Sequence, residues 1–380
     1  MPAGTLEAHA AAGGAASAAD ADTAAVLDAT DATSLLANAF FDALIIAFQS
    51  ERGRAGYAED LRWASGICSA TWKEEQIWAG LVHVQRGRQK RTHLMCAAKN
   101  GDVARIRWLI ARGAPLELRD VKGMTALMHA AFYNQDGALR ALIDAGADVS
   151  TANNRRSNSA FVACEQGSVD ALRTLISVGT DIRTSTNDDG VTCVYISCEK
   201  GDVECLQALI DAGADVNSSN KNNTTPCYIA SQMNFLHGLR ALIAAGANID
   251  IPRTTGGTPL SIACRYGFKE IVDLLITSGA DVNAVTNGHT TPVYTAAYKG
   301  HVDIVRSLIA GGADVNTARA NSWTPIIIAC REDRIDVVRV LIAAGADVNA
   351  STRNGSTPLS IARAISSPKI ASILVAAGAR

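Results

Sequence analysis

The sequence predicts an all-α solenoid of stacked helical hairpins, and three periodic signals carry that prediction. A Leu-Ile pair stands at Leu109-Ile110, Leu142-Ile143, Leu175-Ile176, Leu209-Ile210, Leu242-Ile243, Leu275-Ile276, Leu308-Ile309 and Leu341-Ile342. It closes as Leu374-Val375, and the spacing is 33 residues throughout apart from one interval of 34. A glycine follows four residues after each of these leucines, from Gly113 and Gly146 to Gly345 and Gly378. Upstream, Thr-Pro recurs at Thr225-Pro226, Thr258-Pro259, Thr291-Pro292, Thr324-Pro325 and Thr357-Pro358. A period of this length marks stacked supersecondary units, each burying its apolar face on its neighbours.

Taken in chain order, residues 1–33 are rich in Ala, carry Glu7, Asp20, Asp22, Asp28 and Asp31, and hold no Lys or Arg. They are expected to be a disordered tail without the basic start of a leader. Residues 34–86 are expected to form a helical module that caps the first repeat, since a solenoid must cover its terminal apolar face. Its first apolar run, Leu35 to Phe48, is broken by Asn38 and Asp42 and is shorter than the roughly 18 residues of a membrane span. Leu61, Trp63, Ile67, Cys68, Trp72, Ile77, Trp78 and Leu81 follow at helical steps. Arg86, Arg88, Lys90 and Arg91 then read as a solvated linker.

Residues 87–380 are read as nine repeats. Each opens on a Thr, or Asn158 in the third, whose side-chain oxygen suits the orphan N–H groups of a helix start. A Pro at the first helical position sacrifices no hydrogen bond. Thr92, Thr125, Asn158 and Thr192 lack that Pro, so the first four repeats are expected to start their helices less well. Nine residues on comes Gly101, Gly167, Gly201, Gly267 or Gly300, or a turn-tolerant Asn134, Asn234, Asp333 or Ser366. This turn separates the first helix from the second, which carries the Leu-Ile pair and ends at its glycine in a left-handed conformation. A polar loop, often Gly-Ala-Asp-Val-Asn as at Gly213 to Asn217, leads to the next unit.

With its Thr-Pro start, small residue, central Gly, Leu-Ile pair and Gly-Ala-Asp-Val-Asn exit, the stretch from Thr92 to Arg380 resembles the ankyrin repeat family. That resemblance implies a protein-binding scaffold whose loop tips and exposed first-helix positions form a concave groove. It also implies hydroxylation of the loop asparagines Asn217, Asn283, Asn316 and Asn349, which follow the Leu and Asp-Val spacing of asparaginyl-hydroxylase substrates. Cys68, Trp72 and Trp78 in the cap module resemble the end of a degenerate F-box, although the opening Leu-Pro of that family is absent. The alternative function is therefore the substrate-recognition subunit of a ubiquitin ligase.

Cys164, Cys198, Cys264 and Cys330 all stand six residues after the helix start, where other repeats have Ala98, Ala131, Ala297 or Ser231. This predicts a small buried slot rather than a disulfide or metal framework, and no Cys-x-x-Cys pair occurs. Nine cysteines without a framework point to a reducing compartment, so the chain is expected in the cytoplasm or the nucleus. The histidines never reach a metal-ligand spacing, and no phosphate loop, nucleophile elbow or kinase signature is present. A non-enzymatic monomer without cofactor is expected. A formal net charge of −2 argues against nucleic acid as the partner.

The binding face is sought among first-helix positions seven and eight residues after the start, and at the loop residue just before it. Phe132, Tyr133, Lys200, Arg265, Tyr266, Tyr298, Lys299 and Arg331 occupy the helix positions, and Trp323 the loop position. Rings and cations of this kind dominate protein-binding hot spots. The cluster in repeats six to eight suits a partner segment with apolar anchors and acidic flanks. Tyr195, Tyr228 and Tyr294 recur three residues after the start and read as structural.

Overall fold

A computed structural model describes residues 90–183 and 186–380. The expected tail at 1–33 lies outside the described residues, as does the cap module at 34–86 with its F-box likeness. Among the described residues, eighteen helices form nine consecutive pairs, from His93–Asn100 and Val103–Ile110 to Pro358–Ala364 and Pro368–Ala376. Repeats five to eight, which position the candidate site, open with Pro226–Gln232, Pro259–Tyr266, Pro292–Lys299 and Pro325–Arg331. In each pair the first helix packs on the first helix of the next repeat, and second helix on second, as a solenoid requires.

The local chemistry of each unit explains its boundaries. Thr92, Thr125, Asn158, Thr192, Thr225, Thr258, Thr291 and Thr357 all accept a backbone N–H from the third residue of their helix. The first four repeats therefore keep their caps without Pro. The exception falls elsewhere: Thr324, although followed by Pro325, makes no such bond, and its buried Oγ1 has no partner. All nine turn positions between the paired helices have positive φ, including Asn134 at 52°, Asn234 at 56°, Asp333 at 54° and Ser366 at 57°. The glycines that close the second helices are also left-handed, from 73° at Gly213 to 90° at Gly146.

The core runs the length of the stack. Leu109 is 2% exposed and the other eight leucines of the periodic pairs are fully buried, whereas their Ile partners are half-buried at its edge. The slot six residues after the helix start is fully buried in repeats one to eight, and Ser231 meets the Cys227 carbonyl at 2.8 Å there. All eight described cysteines are free, and burial pushes the Cys227 and Cys330 thiols up to about 12. Such thiols are inert packing groups.

Neighbouring exit loops are bolted together by side chains four residues past the closing glycine. Asn217, Asn283, Asn316 and Asn349 accept the N–H of Asn248, Asp314, Asp347 and Arg380 at 2.7, 2.8, 2.8 and 2.9 Å. Asn283, Asn316 and Asn349 also donate to the carbonyls of Gly312, Gly345 and Gly378. The four asparagines thus tie each repeat to its successor. No helix among the described residues is long and apolar enough to cross a membrane.

Candidate partner-binding groove

The loop tip that precedes each first helix is a tight turn, and its chemistry is set five residues before the helix start. At this position Asp120, Asn153, Asn187 and Asn220 each accept two backbone N–H bonds from inside their own turn, at 2.8–3.1 Å. Thr286 and Thr352 accept one each, both at 3.1 Å. Two tips break the rule. Repeats six and eight carry Arg253 and Arg319, which have no acceptor to offer.

Each of these arginines turns instead onto a tyrosine of the preceding repeat. The Arg253 guanidinium stands 5.2 Å from the ring centre of Tyr228, and that of Arg319 stands 5.7 Å from Tyr294. Both tyrosines are buried, as their recurrence predicts, and each presents a face to a cation. Arg253 is half-buried and its Nε has no hydrogen-bond partner. The left-handed Gly256 in the same tip, at φ 78°, is obligatory, because a Cβ there would stand 2.5 Å from the Asn287 backbone nitrogen.

Arg253 and Arg319 meet four of the residues expected from the sequence in one concavity of about 710 Å³. Arg265, Tyr298, Lys299 and Arg331, from the last turns of three successive first helices, line it together with Tyr228 and Tyr294. Hydroxyls of Thr255, Ser261, Thr286, Thr290 and Thr295 complete the walls, and no carboxylate is among the lining residues. Tyr298 is 40% exposed, and the Lys299 ammonium lies 5.2 Å from its ring centre. The site is an open trough with aromatic faces and five cations. It can hold an extended segment that brings negative charge and an apolar anchor.

The remaining expected residues lie elsewhere. Tyr266 is 51% exposed and stacks on Phe268 with ring centres 5.7 Å apart, but it does not line the trough. Trp323 is half-buried and packs against the core, with the Arg331 guanidinium 5.2 Å from its ring. The sequence places Trp323 at a loop position of the expected binding face, whereas the structure packs its ring in part against the core. Lys200 is exposed at the end of Cys193–Lys200, away from the trough. Phe132 packs with Met124, Met128 and Val162, its ring 4.8 Å from that of Tyr133, and borders a second, smaller concavity of about 370 Å³.

Reasoning from sequence also missed a buried polar pair in repeat two. His129 Nε2 lies 3.1 Å from Asp120 Oδ2, and both residues are buried. Burial lowers the His129 pKa, opposed by the charge and hydrogen bond of Asp120 and reinforced weakly by Arg91 and Lys99. The pair ties His129, in the helix Ala126–Phe132, to Asp120 in the tip turn before it.

A family model described as ankyrin repeats (3 copies) matches residues 74–153, 160–253, 238–319 and 308–380. It covers most of the chain, and nothing among the matches supports the F-box likeness of residues 34–86. No curated protein matches the chain.

Proposed function

Because this chain belongs to the ankyrin repeat family, whose repeats generally mediate protein–protein interaction, we propose that it is a non-enzymatic scaffold or adaptor. It holds a partner protein in the concave groove, centred on repeats six to eight. The observation that carries this reading is the gathering of Arg265, Tyr298, Lys299 and Arg331 in one concavity with Arg253 and Arg319. Three neighbouring repeats supply one patch. Large rings beside cations provide buried area and charge together, which favours a segment with apolar anchors and acidic flanks. The free thiols fit a reducing compartment, and the scaffold acts as a monomer in the cytoplasm or the nucleus.

Affinity capture from cells with the full chain, read by mass spectrometry against a Tyr298→Ala/Arg331→Glu variant, tests the proposal. Partners retained by the wild type and lost by the variant are expected. Equal recovery by both removes the groove of these repeats as the site. The ubiquitin-ligase alternative rests on residues 34–86, and no feature of the trough favours it.

A further inference from the structure

The trough holds more positive charge than an acidic peptide flank requires. Arg253, Arg265, Lys299, Arg319 and Arg331 all line it. Among the described residues, the ion pair of Arg331 with Glu332 at 3.3 Å is the single one that any of them makes. The basicity is local. The same first-helix position reads Glu165, Glu199 and Gln232 in repeats three to five before it turns to Arg265, Tyr298 and Arg331. A nucleic-acid track would continue along the stack, whereas this one ends after three repeats, the span of a short segment.

Two of the five cations stand where the fold itself is best served by another residue. Six described tips close with an Asp, Asn or Thr that caps the turn, and Arg253 and Arg319 give up those bonds. Both lean toward the preceding repeat, Arg253 onto Tyr228 of repeat five and Arg319 onto Tyr294 of repeat seven. Around Gly288 in the tip of repeat seven, the Arg319 guanidinium meets the hydroxyls of Thr286 and Thr290, of which Thr286 accepts the Thr290 N–H at 3.1 Å and keeps its own proton to donate. A guanidinium beside hydroxyl donors, in a trough lined by five cations and no carboxylate, matches an oxyanion with several acceptor oxygens and more than one negative charge. A carboxylate brings one charge and two oxygens; a phosphate monoester brings about −1.5 to −2 and three.

Resting on the groove reading above, we propose that the trough binds a phosphorylated segment of the partner, with the phosphate seated on repeat seven against Arg319 and the hydroxyls beside it. Docking is then conditional on phosphorylation of the partner. The test uses the full chain immobilised on beads and pools of synthetic peptides, randomised around a fixed central phosphoserine, phosphothreonine or phosphotyrosine, with the matching unphosphorylated pools. The comparison protein is Arg253→Asn/Arg319→Asn, which installs the residue that caps the same turn in repeats three to five. It is therefore expected to melt at or above the wild-type temperature, so that loss of binding is not loss of fold. Wild type is expected to retain at least one phosphorylated pool about tenfold better than its unphosphorylated match, and the variant to lose that preference.

Retention that depends on the two arginines but not on phosphate overturns the phosphate inference and leaves the docking groove standing. Retention indifferent to both, or none, overturns the groove reading as well. A single-stranded oligonucleotide probe bound more tightly than every phosphorylated pool overturns the proposal in favour of nucleic acid.

Discussion

Replacing Asn283 by Ala removes a bolt between repeats six and seven and leaves both cores intact. Asn283 Oδ1 accepts the Asp314 N–H at 2.8 Å, and its Nδ2 donates to the Gly312 carbonyl at 3.3 Å. A typical intramolecular hydrogen bond contributes about 0.5–1.5 kcal/mol net, so the pair is worth about 1–3. Asn283 is exposed, and water re-satisfies the freed groups, which places the expected loss at about 1–2 kcal/mol. Because the bonds cross a repeat boundary, they weaken the coupling between neighbours rather than one repeat. Urea unfolding followed by circular dichroism should show a lower midpoint and a broader transition. Asn217→Ala, which loses one such bond, should fall between Asn283→Ala and wild type. An Asn283→Ala midpoint equal to wild type, with an unchanged slope, refutes the assignment of this side chain to inter-repeat coupling.

Leu242→Ala empties a fully buried position between central repeats and should cost about 2–5 kcal/mol, against less than about 0.5 for the exposed Lys221→Ala; equal urea midpoints contradict the core assignment. Trp323→Ala should lower stability by about 1–3 kcal/mol, short of the 3–5 of a wholly buried ring, because Trp323 packs half-buried on the core; an unchanged melting temperature contradicts that packing. His129 is held below its ordinary pKa of 6.5 chiefly by burial. The unfolded chain therefore takes up the proton first as pH falls, and stability is lost from about pH 6.5 downward until the folded-state pKa is passed. His129→Ile, the residue found at Ile196, Ile229, Ile262 and Ile328, should flatten the stability curve between about pH 7 and 5, and parallel curves for the two proteins refute the linkage.

Much of this was legible because the repeat multiplies each local rule. The buried leucines, the turn residues of positive φ and the caps all follow from residue types that recur in register. The side chains at the +7 and +8 first-helix positions were found the same way, since a repeat leaves them free to vary. Arg253 and Arg319 lie five residues before the helix start, outside the loop position just before it from which the sequence predicts the binding face. The signal was present: Asp120, Asn153, Asn187, Asn220, Thr286 and Thr352 form a row of acceptors that the two arginines interrupt. The recurrence of Tyr228 and Tyr294 predicts a structural role, and it does not reveal the second use of a buried ring, as a face for a cation. A loop-tip position in the sequence does not reveal that the Trp323 ring packs in part on the core.

The central claim, that a partner lies in the trough of repeats six to eight, is tested most directly by lysine footprinting of the full chain with and without a captured partner. Lys122, Lys200, Lys269 and Lys299 are all exposed in the free protein, and Lys299 alone lines the trough. Selective loss of acetylation at Lys299 on partner binding is the result the account predicts. Unchanged labelling of Lys299, with protection at Lys122 or Lys200 instead, contradicts it.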